Sequence, residues 1–330
     1  MEGTRLSEIK VTPLAAESLG VRSMCTLVET PDVVVLLDAG ISLASYRYNL
    51  PPHPIEFQTM ARLRKTISEA AEKAQVTTIS HYHFDHHTPS FEDWVVNWTQ
   101  EVETARQIYS GKIVLTKNPK EKINASQRQR AWMFQKTGGK HAKQLVPADG
   151  KTFTFGKTSL CFSEAVAHGP EAWSSGWVIM VTVDYDGERF MFAPDVQGPM
   201  SKHTTDLILA AQPTMIMIGG PPLYLEGFRI ELNQLEMGLK NLYSIVEVVP
   251  SVILEHHALR GESWRLKMAK IFQEASALGH RILTAAEIVG EKNYFLESKR
   301  KELFQNYPPS EEFKQWMKTL NCKKIAKPPI

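Results

Sequence analysis

Cysteine is scarce in this sequence, and the cysteines that occur are isolated. There are three of them, Cys25, Cys161 and Cys322, an odd number without C-x-x-C spacing. This arrangement argues against a disulfide framework and against a structural zinc site, which is usually rich in cysteine. The simplest interpretation is buried thiols in a reducing compartment, and we therefore expect a cytoplasmic protein.

Long apolar runs and a strong net charge are also missing. No apolar core of a secretory signal follows Met1, and runs such as residues 33–37 are too short to span a membrane. The formal net charge of +2 gives no general attraction to nucleic acid. The sequence has 330 residues, of which 43% are hydrophobic and 22% charged. These proportions predict an ordinary globular protein with a sizeable core and no membrane partner.

The sequence does contain a histidine-rich stretch directly after an apolar run. Residues 76–79 predict a short buried strand, and residues 79–89 read ISHYHFDHHTP. Imidazole nitrogens and carboxylate oxygens are typical ligands of zinc and other divalent transition metals. A histidine-rich surface loop is the alternative, but the H-x-H-x-D-H spacing favours a metal site far more strongly than a lone histidine would. The candidate residues of this stretch are His81, His83, Asp85, His86 and His87.

Four further polar residues, Asp38, His168, Asp195 and His256, lie at or just after the ends of other predicted strands. Considered singly, each has an ordinary interpretation as a turn aspartate or a structural histidine. Ligands, however, usually bind at the carboxyl ends of the strands in open α/β sheets. This rule predicts a ligand site at the histidine-rich stretch, and the feature that the other four residues share with it is their position after an apolar strand.

The apolar periodicity predicts an α/β chain. Strands are expected at residues 9–14, 24–29, 33–38, 76–79, 112–116, 152–155, 158–166, 177–183, 189–193, 214–218, 251–255 and 281–284. Helices are expected at residues 57–73, 91–108, 124–136, 203–211, 229–246, 264–278 and 311–320, with another near residue 297. Because no helix separates the first three strands, the chain opens with a β-meander rather than a β-α-β unit.

Residues 112–143 concentrate positive charge, with nine lysines and arginines against the single acid Glu121. The helix expected at residues 124–136 carries Arg128 and Arg130 near Trp132. Basic residues beside aromatic ones could hold a phosphate backbone or stacked bases. The simpler explanation is a solvated basic face above a core stripe of Trp, Met and Phe.

In this order, the strand-end residues resemble the five motifs of the metallo-β-lactamase superfamily. The resemblance extends over roughly residues 7–290 and implies an αββα four-layer sandwich of two mixed β-sheets flanked by helices. Within the superfamily, the doubled histidines, the basic segment and the GGPP at residues 219–222 resemble an uncharacterised archaeal group of predicted metal-dependent hydrolases. We expect one domain over residues 1–330, with a basic helical insertion at about 117–145 and a helical C-terminal extension at about 291–330.

The resemblance also implies a binuclear metal centre. Two divalent cations are expected, zinc first, with manganese or iron as alternatives. One ion would be held by His81, His83 and His168. The other would be held by Asp85, His86 and His256, with Asp195 as the bridge. Asp38 would orient a ligand or the attacking water, and Asp85 or Asp195 could accept the water's proton.

Several neighbouring residues have roles that the sequence leaves open. His257 competes with His256 for the last ligand position; we favour His256 because it comes first after the strand and precedes Arg260 by four residues. His87 could support a ligand, hold a third metal ion or be structural. His203 could supply a proton but is more simply a surface histidine at a helix start. Further residues expected near the substrate are Arg128, Arg130, Tyr224 and Arg260.

The expected reaction is hydrolysis by a water that the two metals activate as hydroxide. A phosphodiester is the first substrate class, and nucleic acid is a candidate partner because of the basic segment. The alternative is a small ester, thioester, lactone or cyclic phosphate. A di-iron oxidoreductase on the same fold and a nucleic-acid-binding module with a structural metal are further alternatives. Neither the substrate nor the oligomeric state follows from the sequence.

Overall fold

Two seven-stranded sheets form the centre of the computed structural model, which describes residues 3–170, 176–228, 230–320 and 326–330. The first half of the chain contributes β1 (Thr4–Arg5), β2 (Lys10–Pro13), β3 (Thr26–Glu29), β4 (Val34–Leu37), β5 (Val76–Ile79), β6 (Ile113–Thr116) and β7 (Gln144–Pro147). The second half contributes β8 (Thr152–Phe155), β9 (Thr158–Phe162), β10 (Val166–Ala167), β11 (Trp177–Val178), β12 (Val181–Tyr185), β13 (Glu188–Ala193), β14 (Met215–Gly219), β15 (Ser251–Glu255) and β16 (Arg281–Leu283).

Both sheets are mixed. The first follows chain order from β1 to β7, antiparallel as far as β4 and parallel from β4 onward. The second has the order β16-β15-β14-β13-β12-β9-β8, and its strands β13 to β16 are parallel. The two short strands β10 and β11 form a separate antiparallel ribbon. The opening antiparallel meander of β2, β3 and β4 confirms the prediction made for the first three strands.

Most helices lie between strands in sequence, and the last three follow β16. The helices are α1 (Pro54–Lys73), α2 (Glu101–Tyr109), α3 (Ala125–Lys136), α4 (Lys202–Ala211), α5 (Leu232–Val248), α6 (Trp264–Lys267), α7 (Ala269–Leu278), α8 (Ala285–Ile288), α9 (Arg300–Asn306) and α10 (Glu311–Met317). Short 3₁₀ helices are found at Glu17–Leu19, Gly138–His141, Leu223–Leu225 and His256–Arg260. Within the described ranges, no helix has both the length and the apolar character needed to cross a bilayer.

Alternate side chains of β14 show how the layers stack. Met215 and Met217 belong to the core shared with the first sheet, and the hydroxyl of Thr26 on β3 lies 3.1 Å from the Met217 sulfur. Ile216 and Ile218 point the other way, into the core formed with α4, α5 and α7. Because successive side chains of a strand point to opposite faces, β14 is covered by a sheet on one side and by helices on the other. The predicted αββα sandwich is confirmed.

The prediction of a helix at residues 91–108 is wrong for its first half, because α2 begins only at Glu101. Asp93 accepts hydrogen bonds from the amides of Val95 and Val96, at 2.9 and 2.8 Å, and so offers the backbone an alternative to helical pairing. Trp98 has a φ of 51°, which a continuous α-helix does not tolerate.

Most other predicted elements differ at their ends, but β1, β7 and α8 are not among the predicted elements, and the strand expected at residues 177–183 is divided into β11 and β12. The helix expected at residues 264–278 is divided into α6 and α7 at Met268, and the one expected near residue 297 begins at Arg300. Arg229, the expected start of α5, lies outside the described residues, and so do Cys322 and its neighbours 321–325 in the C-terminal extension. The strands over 76–79 and 251–255 have the predicted bounds.

Candidate metal centre

The site lies where strands of both sheets end. Asp38 follows β4 and His81 follows the parallel neighbour β5, while Asp195 and His256 follow the parallel strands β13 and β15. The backbone turns sharply at three of these tips, with left-handed φ angles of 46° at Asp38, 50° at Asp195 and 63° at His256. Each such residue costs of order 1 kcal/mol of backbone strain, and strain of this kind clusters at functional sites.

One group of side chains gathers around one oxygen of Asp195. The Nε2 atom of His168 lies 2.5 Å from Asp195 Oδ2, and that of His81 lies 3.4 Å away. The Nδ1 atom of His83 is 3.9 Å from the same oxygen. Potential ligand atoms of all four residues lie within 4.8 Å of one another. The structure thus brings together two histidines of the histidine-rich stretch, the distant His168 and one buried carboxylate.

A second group lies against the first. It combines Asp85, His86 and His256, and another set of the same compactness joins His256 and His257 to Asp195. The Nε2 atom of His256 is 3.6 Å from Asp85 Oδ2 and 3.7 Å from Asp195 Oδ1. His257 comes nearer, with its Nε2 atom 2.9 Å from Asp195 Oδ1. Among the described residues, Oδ1 of Asp195 therefore contacts only the second group, whereas Oδ2 contacts the first group and also lies 3.8 Å from Nε2 of His86. Both His256 and His257 are within reach of a cation.

Two buried polar atoms at this point are suited to binding a cation. Among the described residues, neither His86 Nε2 nor Asp195 Oδ1 has a hydrogen-bond partner, although both are shielded from solvent. The 2.9 Å contact of His257 with Asp195 lacks hydrogen-bond geometry. Buried polar atoms are nearly always paired, so unpaired ones call for an explanation such as an ion. Imidazole and carboxylate are suitable donors for a divalent cation, and the residues present therefore fit one.

Asp38 has a different environment from Asp195. It is fully buried, and its Oδ1 accepts from the Ser80 amide at 2.8 Å. Its Oδ2 accepts from the Ser80 hydroxyl and lies 2.8 Å from Nδ1 of His86. Burial opposes a charge on His86, but the bond to Asp38 and the carboxylates nearby raise the pKa of His86 to about 9. Asp38 thus orients His86, whose Nε2 lies 3.8 Å from Asp195. We call the two groups of potential ligands around Asp195 the cluster.

The other charged groups are set by their mutual contacts. Burial alone would raise the pKa of Asp195, but His168, His257 and His256 hold it well below its usual range. Burial lowers the pKa of His256 to about 3 and that of His257 to about 4, and Arg260 adds to both shifts. In this arrangement His256 and His257 are neutral at pH 7, which is the form that binds a metal.

An arginine and a tyrosine support the His256–His257 turn. The Nε atom of Arg260 donates to Glu17 at 2.5 Å, and one terminal nitrogen lies 3.8 Å from Asp85. Burial would lower the pKa of Arg260, but Glu17 holds it well above its usual value. The hydroxyl of Tyr224 lies 3.2 Å from Nδ1 of His257, and the two rings are stacked. Both predicted substrate-side residues are therefore in direct contact with the cluster.

A cleft of about 360 Å³ leads to the cluster. Asp85, His168 and Asp195 lie along it together with the arginines Arg130 and Arg260. The other expected residues are farther away. Arg128 is exposed on α3 and does not line the cleft, and the exposed His203 lies 3.0 Å from Glu164.

His87 stands apart from the metal-binding groups found among the described residues. It is buried, and its Nδ1 donates to the carbonyl of His83 at 2.9 Å. Its ring packs against Tyr82, Phe84 and Phe134. Burial lowers the pKa of His87 to about 3, so the ring is neutral.

The basic segment is less uniform than its sequence indicates. Two of its nine cations are internal: Lys112 donates to the carbonyl of Ala74, and Lys117 is 2.7 Å from Asp149. The alternative of a Trp/Met/Phe core stripe is wrong for two of the three residues, because Trp132 is 56% and Met133 44% exposed. The helix turns mainly Phe134 and small or polar side chains inward.

Several residues of the site carried no recognisable sequence signal. Glu17 pairs with Arg260, a residue 243 positions later, and Gln197 lies 3.3 Å from Nδ1 of His168 through its side-chain amide. Ser80 lies within the histidine-rich stretch, but nothing in its spacing indicated the bonds to Asp38. Proximity to a predicted ligand is the one signal that could have found Ser80, next to His81, and Gln197, two positions after Asp195.

No family model matches the chain. A UPF0282 protein of Methanopyrus kandleri is 41% identical to it over 295 residues, which are 89% of this chain and 99% of the relative. The chain belongs to the UPF0282 family. A second relative, the UPF0282 protein of Methanocaldococcus jannaschii, is 41% identical over 306 residues, or 92% of this chain and 100% of its own length. The predicted resemblance to an uncharacterised archaeal group is thereby confirmed.

Two solved structures are distantly similar to the chain. The metallo-β-lactamase fold protein YhfI from Bacillus subtilis is 13% identical with a TM-score of 0.46, over 84% of this chain and 95% of that one. CmlA, a diiron β-hydroxylase from Streptomyces venezuelae, is 10% identical with a TM-score of 0.48, over 85% of this chain and 53% of that one. Scores this low transfer no activity to the UPF0282 chain, whose fold class rests on its own sheet topology.

Proposed function

We propose that this UPF0282 protein is a hydrolase that holds two divalent cations at the strand tips and cleaves a phosphodiester. The observation that carries the proposal is the position of Asp195 between two compact groups of imidazole and carboxylate ligands. The unpaired, buried His86 Nε2 and Asp195 Oδ1 support it, because a cation would bind the carboxylate oxygen and displace the proton from the imidazole nitrogen.

Under this proposal the two ligand groups have separate tasks. One cation would be held by His81, His83 and His168, the other by Asp85, His86 and His256, with Asp195 shared. His257 is the alternative to His256, given its 2.9 Å approach to Asp195. When bound, the cations, zinc in the first instance, supply electrophilic stabilisation of the negative charge that develops on the substrate during hydrolysis.

The residues along the cleft favour an anionic substrate. Three arginines line it, Arg22, Arg130 and Arg260. Arg22 and Arg260 are fixed by the buried carboxylates of Glu297 and Glu17, which keeps their guanidinium groups in place before substrate arrives. A phosphodiester gains from such donors, whereas a neutral lactone or ester gains much less. A small neutral ester is therefore the second choice.

A carboxylate of the cleft would accept the proton of the attacking water. The side chain of Asp85 is 17% exposed and lines the cleft, so the attacking water can reach it. Burial would raise the pKa of Asp85, but His86, His256 and His83 hold it well below its usual range, so the carboxyl is ionised and free to accept a hydrogen bond from that water. Asp195, which is 2% exposed, also lines the cleft but is enclosed by histidines. We therefore assign proton transfer to Asp85 before Asp195, and orientation of His86 to Asp38.

The first experiment measures the metal content of the full chain, purified without chelator, by plasma mass spectrometry. Wild type is compared with Asp195→Ala and with the matched control Asp206→Ala, whose side chain is exposed on α4. About two zinc or manganese ions per chain in wild type and in the control, with loss in Asp195→Ala, would support the proposal. Absence of metal after reconstitution would refute it, and two irons would favour a di-iron oxidoreductase instead.

The second experiment compares turnover of bis(4-nitrophenyl) phosphate with that of 4-nitrophenyl acetate. We expect the phosphodiester to be hydrolysed and the activity to be lost in Asp195→Ala but retained in Asp206→Ala. Hydrolysis of the acetate alone would replace the phosphodiester with the small ester as substrate class.

A further inference from the structure

A second cavity, of about 340 Å³, opens beside the cleft. It lies between the histidine-rich stretch and α3, so the basic segment supplies one of its walls. Its lining is mainly aromatic and apolar, with Phe84, His87, Phe91, Met133 and Phe134 among its residues. Small-molecule sites have this character, with volumes of roughly 300–1,000 Å³ and few polar groups.

The cavity and the cleft share a wall. Arg130 and Phe84 line both, and the guanidinium carbon of Arg130 lies 4.7 Å from the centre of the Phe84 ring. Arg130 also lies near the Tyr82 carbonyl, at 3.4 Å. A molecule that occupies both spaces would therefore pass Arg130 at the junction. The charged end of such a molecule would face the cleft and its apolar end the cavity.

Three polar side chains of the cavity, those of Thr137, Ser90 and His87, are engaged with the protein itself. The hydroxyl of Thr137 donates to the Met133 carbonyl at 2.7 Å, and that of Ser90 accepts from the Gly138 amide at 3.1 Å. His87 contributes a neutral ring whose Nδ1 is bonded to a carbonyl. Aromatic rings therefore face the space with few competing demands for hydrogen bonds, which suits a flat aromatic guest.

We infer that this cavity receives a flat aromatic group of the substrate while the phosphate of the same molecule lies in the neighbouring cleft beside Arg130. The inference rests on the proposed phosphoester hydrolysis and adds the class of ester, an aryl or heteroaryl phosphoester. The volume admits one or two fused rings but no duplex. This part of the basic segment would then select a small aromatic ester rather than follow a nucleic-acid backbone.

A pair of substitutions on one helix tests the cavity. Gln129 and Gln135 are both exposed on α3, but only Gln129 lines the cavity. Gln129→Trp would fill it, whereas Gln135→Trp makes the same chemical change elsewhere on the helix. The probes are methylphosphonate and 2-naphthylphosphonate, which resist hydrolysis, and the readout is the dissociation constant from isothermal titration calorimetry with the full chain loaded with zinc.

We expect wild type to bind 2-naphthylphosphonate at least tenfold more tightly than methylphosphonate. Gln129→Trp should abolish this preference without changing the affinity for methylphosphonate, and Gln135→Trp should behave as wild type. Equal affinity for both probes in wild type, or a preference that survives Gln129→Trp, would overturn the inference. If Gln129→Trp does not fold, Ser126→Phe on the first turn of α3 blocks the same space and the same outcomes apply.

The two proposals can fail separately. If no phosphodiester is hydrolysed but the naphthyl preference is present and sensitive to Gln129→Trp, hydrolysis is wrong and the aromatic cavity stands. If bis(4-nitrophenyl) phosphate is hydrolysed while the naphthyl preference is absent, the hydrolase stands and the cavity has no part in substrate selection.

Discussion

The aspartates of the centre differ in what surrounds them. Asp38 accepts hydrogen bonds from the Ser80 amide and hydroxyl and is also hydrogen-bonded to His86, so both of its oxygens have partners within the protein. Asp195 is equally hidden from solvent, but its Oδ1 has no hydrogen-bond partner among the described residues. The same side chain is thus suited to positioning in one place and to holding a cation in the other.

The first prediction concerns Asp38→Asn. The asparagine amide lacks the negative charge that faces Nδ1 of His86, and its NH2 group can donate a hydrogen bond there. The ring of His86 should therefore be held less firmly, with its Nε2 less often directed at the cation. Loss of such a supporting carboxylate typically costs about 10–100-fold in metal affinity. Competition with a fluorescent zinc chelator measures the change, with Asp206→Asn as control. Unchanged affinity in Asp38→Asn would refute the positioning role.

The second prediction separates the two arginines of α3. Arg130 lines the cleft and Arg128 does not. Removal of a charged donor from a substrate phosphate should raise KM for bis(4-nitrophenyl) phosphate about tenfold. We expect this rise for Arg130→Gln and almost none for Arg128→Gln in steady-state kinetics. Equal rises in both variants would instead indicate a diffuse basic surface.

Among the elements, α1 supports the site because it holds the end of the histidine-rich stretch next to the segment that precedes α2. Arg64, buried on α1, donates to the Thr88 hydroxyl and the Asn97 carbonyl, both at 2.8 Å. It thereby ties the histidine-rich stretch to the segment before α2, where the predicted helix is absent. The start of α1 is set by His53, whose Nδ1 accepts from the Ile55 amide at 3.3 Å.

The third prediction is a pH dependence that comes from this cap. Nε2 of His53 donates to the Tyr307 carbonyl at 2.8 Å, so Nδ1 must be unprotonated to accept from Ile55. Burial lowers the pKa of His53 below 6.5. The unfolded chain therefore binds the proton more readily, and this contribution to stability is full above pH 6.5 and is lost as the pH falls toward the folded-state pKa.

His53→Asn keeps a capping acceptor without the titration. Urea unfolding at pH 7.5 and pH 5.0 should show that wild type loses more free energy of unfolding between these pH values than His53→Asn does. The other histidines are common to both proteins and cancel in the comparison. Equal losses would show that His53 does not titrate differently on folding.

In the molecule as a whole, a buried ion pair between α9 and α1 holds the C-terminal helices against the rest of the fold. Arg300, at the start of α9, donates twice to Glu56 on α1, at 2.8 Å for each bond. The same guanidinium binds the carbonyls of Leu50 and Ala44, and both charged side chains are fully buried. On α10, Phe313 and Trp316 pack against Phe57 of α1.

The fourth prediction follows from the burial of this pair. Arg300→Met should lower the free energy of unfolding by about 3–5 kcal/mol, because it leaves the Glu56 carboxylate buried without a counter-charge. The double variant Glu56→Gln/Arg300→Met should recover part of the loss. The adjacent, exposed Lys301→Met serves as control in urea unfolding. A double variant no more stable than Arg300→Met would contradict the argument.

Most of the strands, and the polar residues that follow them, could be predicted from the sequence, whereas β1 and β7 could not. The strand at Val76–Ile79 and the histidines after it are specified by adjacent residues, since the alternation of a strand and its end are local properties. The seven predicted ligands are accordingly close together in space, although their binding of metal remains a prediction. A predicted helix boundary is wrong where a side chain competes for the backbone amides, as Asp93 does before α2.

Tertiary structure alone decided how those residues are used. The pairing of Glu17 with Arg260, the full set of donors around Asp38 and the cavity between Phe84 and α3 all join segments that are far apart in sequence. Such contacts depend on how the two sheets face each other and on which side chains lose their water. The periodicity of a single strand or helix carries information about neither, and so the chemistry could be predicted from the sequence while its environment could not.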